Sequence, residues 1–74
     1  MKNFSMQFTH PITGIVRLFK ANENTACHII KVKTNENYLL NLSLAAIEKG
    51  KWNIVLNWGY ENHHFVYNRS ISIS

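Results

Sequence analysis

Gly50-Lys51-Trp52-Asn53-Ile54-Val55-Leu56-Asn57-Trp58-Gly59-Tyr60-Glu61-Asn62-His63-His64-Phe65-Val66-Tyr67 reads as a β-hairpin with nearly all of its large side chains on one face. Successive strand residues point to opposite faces. Trp52, Ile54, Leu56, Trp58 and Tyr60 therefore share one side, and Asn53, Val55, Asn57 and Gly59 the other. Beyond the turn, Phe65, Tyr67, Ile71 and Ile73 alternate again, with Ser70, Ser72 and Ser74 between and after them. A short turn at Glu61-Asn62, or one residue later, places Trp58 beside Phe65 or Tyr67. In either register the two apolar sets lie on one side of the sheet, as a hairpin over a core requires. Arg69 is the misfit, because strict alternation aims it inward. The expectation is a bulge over residues 68–70, or an arginine that bends its head out past the end of the sheet.

The rest of the chain repeats this pattern in shorter pieces. Phe4, Met6 and Phe8 alternate with Ser5, Gln7 and Thr9 in a first strand, the expected sheet edge. His10-Pro11-Ile12-Thr13-Gly14 breaks it, since proline cannot donate to a ladder. Residues 15–20 form a second strand with Val16 and Leu18 inward. Residues 21–25 are a turn cluster. Residues 27–33 form a third strand with Ile30 and Val32 inward. Ile29 disturbs the alternation there and predicts burial on both sides or a bulge. A polar turn at 34–37 leads to a fourth strand over 38–44, with Leu40, Leu42 and Leu44 on one face. Residues 45–50 are Ala-rich and end in Gly50, which suits one helical turn closed by glycine. The hairpin adds strands five and six. Six strands, turns every eight to twelve residues and no long helix predict an all-β sandwich, the alternative being a small barrel of the oligonucleotide-binding type.

A chain of 74 residues makes one domain, spanning residues 1–74. Its core is small, so four Phe, three Tyr and two Trp carry much of the burial. The single cysteine, Cys27, excludes an internal disulfide and is expected to behave as a small buried hydrophobe. The net charge of +4 comes from cations spread along the chain without a basic run, the pattern of a solvated surface. No 18-residue apolar stretch is present, and the alternating start is not expected to act as a signal peptide.

Nothing in the sequence assembles into catalytic or metal-binding machinery. His63 and His64 are adjacent and point to opposite faces of a strand, so they cannot share one ion. His10 and His28 lack ligand spacing. Met6 belongs to the inward alternation with Phe4 and Phe8 and not to a copper site. Glu23, Glu36, Glu48 and Glu61 all fall in expected turns, and Cys27 with His28 is sequence adjacency alone. The expectation is no catalytic, cofactor or metal residue and no enzyme. Trp52, Trp58, Phe65 and Tyr67 are expected in the core, with Phe19 and Tyr38 less clearly inward, which argues against base stacking on nucleic acid. The sequons at Asn3, Asn41 and Asn68 are expected by chance in an Asn-rich chain.

The chain resembles the FixH family, also called CcoH, small membrane-anchored accessory proteins for assembly of haem–copper cytochrome oxidases in bacteria. The resemblance rests on Ile47, Gly50-Lys51-Trp52-Asn53-Ile54, Trp58, Tyr60-Glu61, Tyr67, Arg69, Ile71 and Ile73. It extends more loosely to Phe8-Thr9-His10-Pro11 and Gly14-Ile15-Val16-Arg17-Leu18-Phe19. It implies a small immunoglobulin-like β-sandwich of about six to seven antiparallel strands on the periplasmic side of the cytoplasmic membrane. It implies a non-enzymatic role without cofactor, docking to an oxidase subunit or assembly factor. Family members carry an N-terminal membrane helix, so membrane association would come through a segment absent from this chain. The matched residues are mostly core positions and bring no binding site with them. The alternative function is a carbohydrate- or peptide-binding sandwich module, or a small basic oligonucleotide-binding barrel.

Overall fold

In the computed structural model, which describes residues 2–21, 23 and 25–74, the decisive hairpin consists of two long strands, β5 (Gly50–Tyr60) and β6 (His63–Ile73). The register runs unbroken from Tyr60 opposite His63 to Gly50 opposite Ile73 and sets Trp58 against Phe65. Glu61 and Asn62 form the two-residue loop, with φ of 50° and 65°. This is the type I′ pattern, whose twist matches that of the flanking strands. Asparagine tolerates such angles, but glutamate does not favour them, because its Cβ crowds the following carbonyl. Replacing the pair by the preferred Asn-Gly (Glu61→Asn with Asn62→Gly) is expected to stabilise the domain by about 1 kcal/mol. A rise in urea midpoint at unchanged slope is the readout.

Four shorter strands precede the hairpin: β1 (Asn3–Gln7), β2 (Thr13–Lys20), β3 (His28–Lys33) and β4 (Leu39–Ser43). All pairings are antiparallel. The order β3-β2-β5-β6 makes a four-stranded sheet, and β1-β4 makes a two-stranded sheet. Among the described residues there is no helix, and the architecture is an all-β, sandwich-like pair of sheets. Each strand sends its alternate apolar residues between the layers. Val16, Leu18, Trp52, Ile54, Leu56, Ile71 and Ile73 come from the larger sheet. Phe4, Leu40 and Leu42 come from the smaller, and Ile12 and Leu44 close the interior from adjoining segments. No polar or charged side chain among the described residues is buried.

Several local expectations need correction. No bulge interrupts β6: Arg69 sits opposite Ile54 in regular register. It is exposed and borders an outer-face depression with Asn53, Asn68 and Ser70. Its side chain thus leaves the interior round the open margin of β6, not past the end of the sheet. Ile29 is neither doubly buried nor bulged. It pairs with Arg17 and is 65 % exposed, because β3 is an edge strand with an uncovered outer face. Tyr38 does not begin the fourth strand. It adopts φ 62° in the preceding turn, where the Asn35 side-chain oxygen accepts from the amides of Asn37 (2.8 Å) and Leu39 (3.1 Å). Residues 45–50 are no helical turn closed by glycine. A single tight turn, Ile47 N–H to Leu44 C=O at 3.1 Å, returns the chain, and Gly50 opens β5 with φ 139°. Asn22 and Asn24 of the expected turn at 21–25 lie outside the described residues.

Candidate functional site

The two-stranded layer cannot cover the whole inner face of a four-stranded sheet. The uncovered part falls at the tip of the hairpin. Trp58 is half-buried: Phe8 meets its ring edge-on at a centroid distance of 5.4 Å, and Phe65 stacks on it at 5.5 Å and 21°. Phe65 itself remains 42 % exposed. Beside this trio, His10 stacks on Tyr60 with ring centroids 3.6 Å apart. His63 lies at 6.3 Å from Phe65. Tyr60, Phe65 and Val66, three of the most exposed large apolar side chains, thus belong to one hairpin end. Trp58, Phe65 and Tyr67 were expected as core, but Trp58 and Tyr67 are half-buried and Phe65 is exposed. Trp52 alone of the two indoles is fully interior.

His10 enters this cluster from the segment after β1. Its Nδ1 lies 3.2 Å from the Thr9 hydroxyl, and its Nε2 is shielded from solvent without a hydrogen-bond partner among the described residues. The other histidines are scattered. His63 and His64 lie on opposite faces of β6, His64 beside Gly59 on the outer side. His28 packs 5.6 Å from Trp52 at the opposite end of the sandwich. Among the described residues no group of three His, Cys, Asp or Glu side chains could hold a metal ion. Cys27 is exposed, contrary to the expectation of burial, with its Sγ 3.9 Å from Glu23 Oε2. It lies between β2 and β3 in the chain.

Arg17, Lys31, Lys33 and Lys51 lie on the outer face of the larger sheet. Lys31, Arg17 and His64 border an open depression of about 570 Å³, with Ile15, Asn57 and Trp58 also lining it. The four glutamates lie in connections and are exposed. One of them, Glu48, pairs with Lys20. The hydrogen bond and the charge of Lys20 hold the Glu48 carboxyl below its ordinary range, and Glu48 raises Lys20 in turn. Both groups are in solvent, so the pair contributes little to stability. The same end holds Trp52, whose Nε1–H donates to the Glu48 carbonyl at 3.1 Å. Trp52 is buried at this end, whereas Phe65 and Tyr60 are exposed at the hairpin tip.

Comparison with protein-family models, with curated proteins and with solved structures gives no match. The site therefore rests on geometry alone. Alternation identified which side chains face inward. It could not say how many strands lie opposite, and that number decides which inward rings stay uncovered.

Proposed function

We propose that this domain is a non-enzymatic interaction module of the FixH type, aiding assembly of a haem–copper cytochrome oxidase from the periplasmic side of the cytoplasmic membrane. The observation that carries the reading is the open aromatic end. On the inner face of a single hairpin tip, exposed Phe65 stacks on half-buried Trp58, and exposed Tyr60 stacks on His10 beside them. Aromatic residues grouped beside a packed core are the composition of a protein-contact surface. Of the residues that carry the resemblance, Trp52, Ile71 and Ile73 are buried in the core, which supports the reading.

In this reading the sandwich is immunoglobulin-like. In that fold a C′-C-F-G sheet faces the sheet that holds B and E. The order β3-β2-β5-β6 facing β1-β4 fits that plan without the outermost A and D strands. It departs from the antibody pattern in lacking a disulfide and in placing its buried Trp on β5, the F position. In this reading the partner is a protein and not a nucleic acid. The Trp58 ring is taken up by Phe8 and Phe65 instead of being displayed for a base.

The test is capture from detergent-solubilised bacterial membranes on the immobilised domain, with the bound proteins identified by mass spectrometry. Recovery of an oxidase subunit or assembly factor is expected, and its loss on Phe65→Ser. Recovery of neither class overturns the reading.

A further inference from the structure

Among the described residues β1 pairs with β4 alone. The Phe8 amide donates to Tyr38 C=O at 2.9 Å and the Leu44 amide to Lys2 C=O at 2.8 Å. In an antiparallel ladder hydrogen-bonded and non-bonded pairs alternate. The even residues of β1 therefore bond to β4, and the N–H and C=O groups of Asn3, Ser5 and Gln7 point the other way. That free side borders the hairpin: the Phe4 ring lies 6.4 Å from Tyr67 of β6, and Phe8 lies against Trp58. Next to the free side lie Phe65, Tyr67 and Arg69, inner-face positions of β6 that are exposed or half-buried.

We infer that the free side of β1 is a strand-addition site for an extended segment of a partner protein, with apolar residues at alternate positions and a carboxylate for Arg69. The inference rests on the interaction-module reading and names the site and partner chemistry within it. A strand added about 4.8 Å beyond β1 lies over the uncovered inner side chains of β6. It gains backbone hydrogen bonds from Asn3, Ser5 and Gln7 and apolar burial against Phe65 and Tyr67. In the immunoglobulin plan this is the place of the A strand, next to B.

The other edges offer less. β6 also has a free side, but a strand added there lies beyond β1 and faces no opposing layer. β3 carries exposed Lys31 and Lys33, charges of the kind that guard an edge. Charge selects the partner further. The Arg69 side chain has no ion pair or hydrogen bond among the described residues, and it starts from an inner-face position and rounds the β6 margin, next to the free side of β1. An incoming carboxylate answers that charge; an incoming lysine opposes it.

The probe is a soluble, capped peptide alternating valine and threonine, with glutamate in place of one valine; its twin carries lysine there. Titration is followed by NMR amide shifts and hydrogen exchange. The expected result is shifts and slowed exchange at Asn3, Ser5 and Gln7, with the lysine twin weaker by roughly tenfold. Arg69→Glu is expected to reverse that preference. Ser5→Pro removes an amide that points away from β4, so the ladder survives and binding is lost. No shift at millimolar peptide overturns the proposal. So do shifts confined to Arg17 and Lys31 or to the β6 edge, a peptide preference that Arg69→Glu leaves unchanged, and saturation of the β1 edge by a second copy of the chain. Membrane capture separates the two readings. If Ser5→Pro, shown folded by its thermal transition, captures the same oxidase protein as the parent, strand addition falls and the interaction module stands. If the parent captures none, the module reading falls, while peptide binding still decides the edge.

Discussion

Trp52→Ala is expected to lower the unfolding free energy by ~3–5 kcal/mol, the usual cost of truncating a buried large aromatic. Total stabilities of small domains are only about 5–15 kcal/mol, so the variant is expected to be largely unfolded at moderate temperature. The size of the effect follows from the position of the ring. Trp52 is 2 % exposed and lies between Lys20 of β2 and Ile71 of β6 in the ladder. It packs near His28 of β3, and its indole N–H holds the Glu48 carbonyl. One side chain thus ties three strands of the larger sheet to the connection between β4 and β5. Trp52→Phe keeps part of the ring volume and removes the donor, so it should fall well short of the alanine loss. About 1 kcal/mol of its cost is the hydrogen bond itself. Urea titrations of both variants measure this. An unchanged melting temperature in Trp52→Ala would show that the ring is not part of the interior.

That position was legible from the sequence because period-two alternation is a direct report of facing. Val16, Leu18, Leu40, Leu42, Ile54 and Leu56 were placed inward by the same rule and are buried. The turn at Glu61-Asn62 and the pairing of Trp58 with Phe65 are one of the two registers it left open. What alternation cannot report is the layer opposite. Trp58, Phe65 and Tyr60 obey the same periodicity as Trp52, yet a two-stranded layer leaves them at its open end. Ile29 failed for the related reason that an edge strand needs no cover on its outer side. Residues 45–50 have helical composition, but Leu44 and Ile47 pack onto the core and Trp52 takes the Glu48 carbonyl. Tertiary contacts override a short propensity signal there. Tyr38 occupies a left-handed turn that its residue type does not advertise. The candidate site was therefore legible as a set of aromatic residues, and illegible as a surface.

Gly14→Ala is expected to destabilise by ~1–3 kcal/mol, although alanine suits a strand better than glycine does in isolation. A Cβ at Gly14 would lie 2.4 Å from the Asn57 carbonyl oxygen, 3.1 Å from Trp58 Cβ and 3.3 Å from Leu56 Cδ1. The nearest of these atoms is backbone of β5, the strand that pairs with β2 through Gly14 and Trp58. A flexible side chain could swing away; this carbonyl moves only if β5 shifts from β2, and with it Trp58 and its contacts to Phe8 and Phe65. Gly59→Ala supplies the contrast one residue beyond Trp58 on β5, where Gly59 pairs with His64 of β6. Its added Cβ meets nothing closer than the His63 carbonyl oxygen at 3.5 Å, an ordinary contact. Reduced freedom of the unfolded chain should make Gly59→Ala neutral or stabilising by about 0.4–1 kcal/mol. The two substitutions are chemically identical, and their urea midpoints should move in opposite directions or differ clearly in size. In Gly14→Ala the Trp58 and Phe65 ring resonances should also shift, because the displaced strand carries the aromatic end with it. Equal midpoints for the two variants would mean that β2 and β5 do not approach as closely at Gly14 as the fold requires, and the placement of Trp58 at the rim of the aromatic end would fall with that contact.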